Sequence, residues 1–158
     1  PKNLSAGQVD TAIENAFATV QWGGQGILFH NAGSSTERSA TNDNQNSVFW
    51  RPLSGGVVAM TYLWTNSDGR VSDVDTIFNS RYRWSINQYS GTNDCGGNKA
   101  SFDVQNVATH EFGHWAGLND LYSLDARDLT MYGYATRGEL KKDTLGLGDI
   151  TGIRAVWP

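Results

Sequence analysis

Residues 110–114 read His-Glu-Phe-Gly-His, two imidazoles four positions apart with a carboxylate next to the first. On a helix of 3.6 residues per turn, positions i and i+4 differ by only about 40° around the axis. Both rings therefore leave one face and reach a common ion at roughly 2.0 to 2.1 Å. Glu111 is turned about 100° from His110, which sets it beside the ion, where a carboxylate can take a proton from water without being a ligand. Two histidines do not complete a catalytic zinc site, which takes three protein ligands and keeps a fourth position open. Gly117 stands three residues after His114, and Asp120 stands six after it. A glycine in positive φ stops the helix and turns the chain back beneath the metal, so the spacing selects Asp120.

Those side chains need a helix and a frame. Asp103 is a good N-cap, and Val104, Val107, Ala108, Phe112 and Trp115 follow within one apolar arc that ends near Gly117. The arc points into a core and leaves the two histidines facing a cleft. Upstream, Ser5 precedes Val9, Ala12, Ile13, Ala16, Phe17 and Val20 at three- and four-residue spacings, the pattern of an amphipathic helix over 5–20. Strand-like runs cover 26–30, 47–53, 57–64 and 71–78. Turn-rich stretches such as Thr41-Asn42-Asp43-Asn44 and Asn66-Ser67-Asp68-Gly69 separate them. These predict a sheet of four or five strands. After an irregular stretch from 119 to about 142, Leu147, Ile150, Ile153, Val156 and Trp157 predict a last helix begun by Asp149 or a neighbour. The order helix, strands, helix, loop, helix is that of an α/β or α+β domain.

Composition bounds the rest. The chain has 158 residues, 39% of them apolar, with six each of Trp, Tyr and Phe, enough for one core, so residues 1–158 are expected to be a single domain. With 18% charged residues, a net charge of −4 and no Lys/Arg cluster, the footprint for nucleic acid or an anionic membrane is absent. No apolar run reaches the roughly 18 to 20 residues that span a bilayer. The start at Pro1 reads as a mature or trimmed chain without a signal peptide. The lone Cys95 rules out an internal disulfide and leaves a free thiol or a partner outside the chain. Low charge with many Asn, Gly, Ser and Thr leans towards an extracellular protein, expected to be a monomer.

The stretch from His110 to Asp120, His-Glu-Phe-Gly-His-Trp-Ala-Gly-Leu-Asn-Asp, with Met131 downstream, resembles the metzincins, and among them the matrixins of bacteria and archaea. Thr130-Met131-Tyr132-Gly133 matches the metzincin methionine turn under the zinc. Gly56-Val57-Val58-Ala59-Met60-Thr61 resembles the edge strand along the substrate cleft, which implicates Val58 and Ala59. Val74-Asp75-Thr76-Ile77-Phe78-Asn79 and Arg83-Trp84-Ser85 resemble the next strand, and Gly148-Asp149-Ile150-Thr151-Gly152-Ile153 resembles the C-terminal helix. The resemblance implies a twisted four- to five-stranded mixed sheet packed with about three helices. It also implies one catalytic zinc and a secreted endopeptidase in which Glu111 is the general base. The substrate would be an extended peptide, with Tyr132, Gly133 and Tyr134 forming a wall of the main specificity pocket.

The chain departs from the family pattern in places. Its third ligand is Asp, as in the snapalysin-like branch, where most metzincins have His. Only His30 remains for the second, structural zinc of animal matrixins, which is expected to be missing; His30 itself reads as a structural or surface residue. Gly148 replaces the first of two adjacent acidic residues that usually serve the matured N-terminus. Glu139, twenty-five residues past His114, is the rival third ligand, since another peptidase class takes a glutamate from a second helix at that interval. Tyr134-Ala135-Thr136-Arg137-Gly138 is a poor lead-in to such a helix. Asp68, Asp73, Asp75 and Asp94 have the oxygen chemistry of calcium ligands, with solvated turn residues as the preferred reading. The alternative function is a zinc-binding or adhesion module of metzincin fold that has lost catalysis, which retention of Glu111 argues against.

Overall fold

In the computed structural model, which describes residues 1, 3–88 and 96–158, Ser5 opens the first helix, α1 (Ala6–Gly23). Its hydroxyl accepts the Gln8 amide at 3.3 Å while the Gln8 side chain accepts the Ser5 amide at 3.1 Å. This reciprocal cap satisfies two N-terminal donors at once. The spacing of Val9, Ala12, Ala16 and Val20 places them on the buried face. That face meets α2 (Val104–Trp115), where the Phe17 and Phe112 rings stack with centroids 3.7 Å apart. The strand expected over 26–30 does not form. Gly26 takes φ +85°, and the Phe29 amide donates to the Gln21 side chain at 2.9 Å, a local bond to α1 in place of a ladder.

The chain divides into two compact units, one of residues 1–31 with 83–158 and one of residues 32–82. The first holds α1, α2, a short parallel ladder of β4 (Trp84–Ser85) and β5 (Phe102–Asp103), and α3 (Leu147–Val156). Val104, Val107, Ala108, Phe112 and Ile153 are all nearly inaccessible there. Helix α3 is capped by Gly146, so Asp149 lies inside its first turn and does not begin it.

The second unit is a three-stranded mixed sheet in the order β1 (Ser47–Arg51), β3 (Val71–Asn79), β2 (Ala59–Thr65). Strand β3 runs parallel to β1 and antiparallel to β2, with Ile77 facing Phe49 on one side and Met60 on the other. As the central strand it is buried from Asp73 to Asn79. Two of its carboxylates correct the view of them as solvated turn residues. Asp73 accepts the amides of Asp43 and Asn44 at 2.6 and 2.9 Å, and Asp75 accepts those of Thr41 and Ser47 at 3.0 and 2.9 Å. They pin the 41–47 loop by giving its donors buried acceptors. The sheet and ladder together make an α/β fold with three helices, the three-stranded sheet being smaller than the four or five strands expected. No described helix is long and apolar enough to cross a membrane.

Candidate metal centre

Asp103 caps α2 by accepting the Asn106 amide at 3.2 Å, which fixes where the helix begins and hence which face carries the histidines. Its other end is a Schellman motif. Gly117 takes φ +90°, its amide donates to His114 O at 2.9 Å, and the Leu118 amide donates to Gly113 O at 3.0 Å. The turn carries the chain back so that Asp120 lies against both rings. Asp120 Oδ1 is 3.1 Å from His110 Nε2 and 3.7 Å from His114 Nε2. One donor atom from each of these three residues falls within 4.8 Å of the others, and among the described residues theirs is the group that converges in this way. Glu139 lies outside it: its Oε2 accepts the amide and hydroxyl of Thr136.

The ring tautomers follow from the other nitrogens. His110 Nδ1 is 2.7 Å from Thr130 O, and His114 Nδ1 is 2.8 Å from Leu118 O. A carbonyl oxygen only accepts, so each Nδ1 bears the hydrogen, and the neutral ring turns its Nε2 lone pair towards the buried Asp120 Oδ1. Two lone pairs and an anionic oxygen aimed at one point need a positive charge between them, either a proton on a ring or a metal ion. The neighbouring His110 ring above all, against the opposing effect of burial, holds the Asp120 carboxyl down to about 2. The donor set, two imidazoles and a carboxylate, fits zinc.

The segment around Met131 packs against α2. Thr130 and Met131 donate their amides to Asp149 Oδ2 and Oδ1 at 2.8 and 3.0 Å, and the Thr130 hydroxyl donates to Thr144 O at 2.7 Å. Met131 is 1% exposed, and its sulfur lies 2.2 Å from where a Cβ on Gly113 would stand, so the glycine between the two histidines lets the thioether sit against α2. Glu111 is buried on the same helix and is not one of the converging donors.

The sequence profile of the matrixin peptidases matches residues 1–158. This chain belongs to the matrixin family. The matrixin is also 34% identical over 103 residues to a hatching enzyme of Paracentrotus lividus, an alignment that covers 65% of this chain and 14% of that protein. The family is one of zinc peptidases, and the donor cluster of this matrixin lies within the matched residues.

The remaining expected site residues divide between the units. Tyr132, Gly133 and Tyr134 follow the methionine directly, and Tyr134 is exposed. Leu121 pairs with this segment, donating to Met131 O and accepting from Gly133 N. Val58 and Ala59 stand at the start of β2 in the sheet unit, where Val58 O accepts the Asn79 amide. His30 is exposed, and Asp68 is an exposed partner of Arg70; Asp94 and Cys95 lie outside the described residues. Neither Asp73 nor Asp75 belongs to a convergent donor group, so calcium has no support there.

Two residues of this matrixin escaped the sequence reading. The Tyr122 hydroxyl donates to Asp120 Oδ2 at 3.0 Å, orienting the carboxylate, and its ring fills the space a Cβ on Gly133 would need. Its place two residues after the aspartate was the available signal. Lys142, in a lysine pair that reads as surface, is 1% exposed.

Proposed function

We propose that this matrixin is a secreted, monomeric endopeptidase of the metzincin type. Residues 1–158 act as one catalytic domain, His110, His114 and Asp120 hold the metal, and Glu111 is the general base. The observation that carries this reading is the convergence of the two Nε2 atoms and Asp120 Oδ1, with both Nδ1 atoms committed to main-chain carbonyls. Zinc held by these three residues would supply Lewis acidity towards the scissile carbonyl and would acidify a water beside it, less strongly than with a third imidazole because the carboxylate would neutralise part of its charge. Glu111 takes the proton of that water as its oxygen adds to the carbonyl carbon. The protonated Glu111 then gives the proton to the amide nitrogen as the C–N bond breaks.

An extended peptide is the substrate that suits this chemistry. Strand β2 ends the sheet of its unit and can pair through its outer edge with another strand, Val58 and Ala59 lying at its start. Tyr132, Gly133 and Tyr134 are assigned to the wall that reads the side chain after the scissile bond. The test is cleavage of casein or gelatin with and without a chelator, beside Glu111→Ala. The expected result is cleavage that the chelator and the substitution each abolish. A wild type that holds one zinc yet cuts nothing, or a Glu111→Ala variant as active as wild type, overturns the reading.

A further inference from the structure

The ammonium of Lys142 is buried directly behind the 132–134 segment. It donates to Tyr132 O and, at 3.1 Å, to Tyr134 O. Carbonyls of alternate residues on an extended chain point to one side, and the groups of the residue between them point to the other. Gly133 conforms, since its amide donates away from the lysine to Leu121 O at 2.9 Å. The main chain of the segment is thus clamped from both sides, by the Leu121 backbone and by one amine.

That amine is itself fixed. The Lys142 backbone amide donates to Asn106 Oδ1 at 2.8 Å, and Asn106 is buried on α2, one turn before His110. Removing an ammonium from water is costly unless it is paired and hydrogen-bonded. Burial above all lowers the pKa of this ammonium, while the Glu139 carboxylate favours its charge and the two carbonyls accept from it. A lysine whose only task was solubility would keep its head in solvent.

We infer that Lys142 is a positioning residue for substrate selection, its ammonium setting the wall against which the residue after the scissile bond is read. The side chains carried by the clamped segment explain how its position reaches the site. The Tyr134 ring packs edge-on against Tyr132 at 5.4 Å and against Tyr122 at 5.5 Å, and the Tyr122 hydroxyl holds Asp120. A shift of the 132–134 main chain therefore moves the aromatic surface beside the metal ligands. This inference rests on the peptidase reading above.

The test uses the zinc-loaded full chain, the variants Lys142→Met and Lys142→Gln, and a peptide series that differs only in the residue after the scissile bond. Methionine and glutamine are both one atom shorter than lysine and neutral; methionine removes the donors, whereas glutamine keeps an NH2 that can still donate. For Lys142→Met the expected result is one bound zinc, KM raised about tenfold for the preferred peptide, kcat within about twofold, and a flattened preference across the series, with Lys142→Gln intermediate. A uniform loss of kcat/KM for every peptide, or unchanged ratios, overturns the inference and leaves a merely structural lysine. Should the methionine variant fail to fold, the ratios of the glutamine variant decide. Absence of cleavage by the wild type overturns the peptidase reading and this inference with it, whereas wild-type cleavage with unaltered variant ratios overturns this inference alone.

Discussion

Asp149 and Met131 are joined by a hydrogen bond of 3.0 Å from the methionine amide to the carboxylate, across 18 residues of sequence. The same carboxylate takes the amides of Thr130 and of Gly146, the cap of α3, so one buried side chain fixes both the first turn of a helix and the segment whose carbonyl meets His110. Thr130 in turn offers its carbonyl to His110 Nδ1. Orientation passes from Asp149 through the main chain to the His110 ring.

Asp149→Asn is expected to break this relay, because an amide NH2 faces donors where an oxygen now accepts. The loss should be about 1.5 to 3 kcal/mol of stability and roughly 10- to 100-fold in zinc affinity. Urea denaturation and a zinc competition titration measure the two; unchanged zinc affinity in a destabilised variant would show that the relay does not orient His110.

Tyr122→Phe removes the hydroxyl from Asp120 Oδ2 and leaves the ring that packs on Gly133. Zinc affinity should fall by up to about tenfold with the melting temperature nearly unchanged. Equal zinc affinity in the variant and the wild type would mean that the ligand is held by the turn alone.

Gly113→Ala places a methyl where the Met131 sulfur lies. Helix propensity favours alanine by about 1 kcal/mol, but overpacking a filled core costs about 1 to 3 kcal/mol, and the nearest atom belongs to a side chain buried beneath the helix. Net destabilisation is expected by chemical denaturation, and in a double-mutant cycle with Met131→Ala the two losses should be less than additive, because the alanine at 131 vacates the space the new methyl needs. A more stable single variant would refute the close packing.

Asp143 supplies the pH dependence. Burial first, and then the neighbouring Asp103 charge, push its carboxyl up to about 8, and its Oδ1 has no hydrogen-bond partner among the described residues. In the unfolded chain an aspartate titrates near about 3.9. Between those values the folded protein binds the extra proton, so this group's contribution to stability falls as pH rises from about 4 to about 8 and is level outside that window. Asp143→Asn should flatten that slope and be the more stable protein above pH 8. Melting curves of both proteins from pH 4 to 9 decide; parallel profiles would contradict the assignment.

Local features were legible in the sequence because their causes are local. The Ser5 and Asp103 caps, the apolar arcs of α1 and α2 and the Gly117 turn depend on neighbours within a turn or two, and each forms where spacing puts it. The expected strand over 26–30 failed because a side chain from α1, Gln21, captured the Phe29 amide, which no alternation pattern encodes. Asp73 and Asp75 look like turn residues until the sheet buries them under a loop that supplies four donors. Lys142 and Asp149 act on main-chain groups 8 to 19 residues away, and their sequence neighbourhoods carry no mark of it.

The central claim is the ligand set, and a zinc-soaked crystal measured at the zinc absorption edge tests it most directly. The account predicts a single anomalous peak at roughly 2.0 to 2.2 Å from His110 Nε2, His114 Nε2 and an oxygen of Asp120, with Glu111 and Glu139 outside that distance. A peak coordinated by Glu139 in place of Asp120, or no peak between the two histidines, would contradict it.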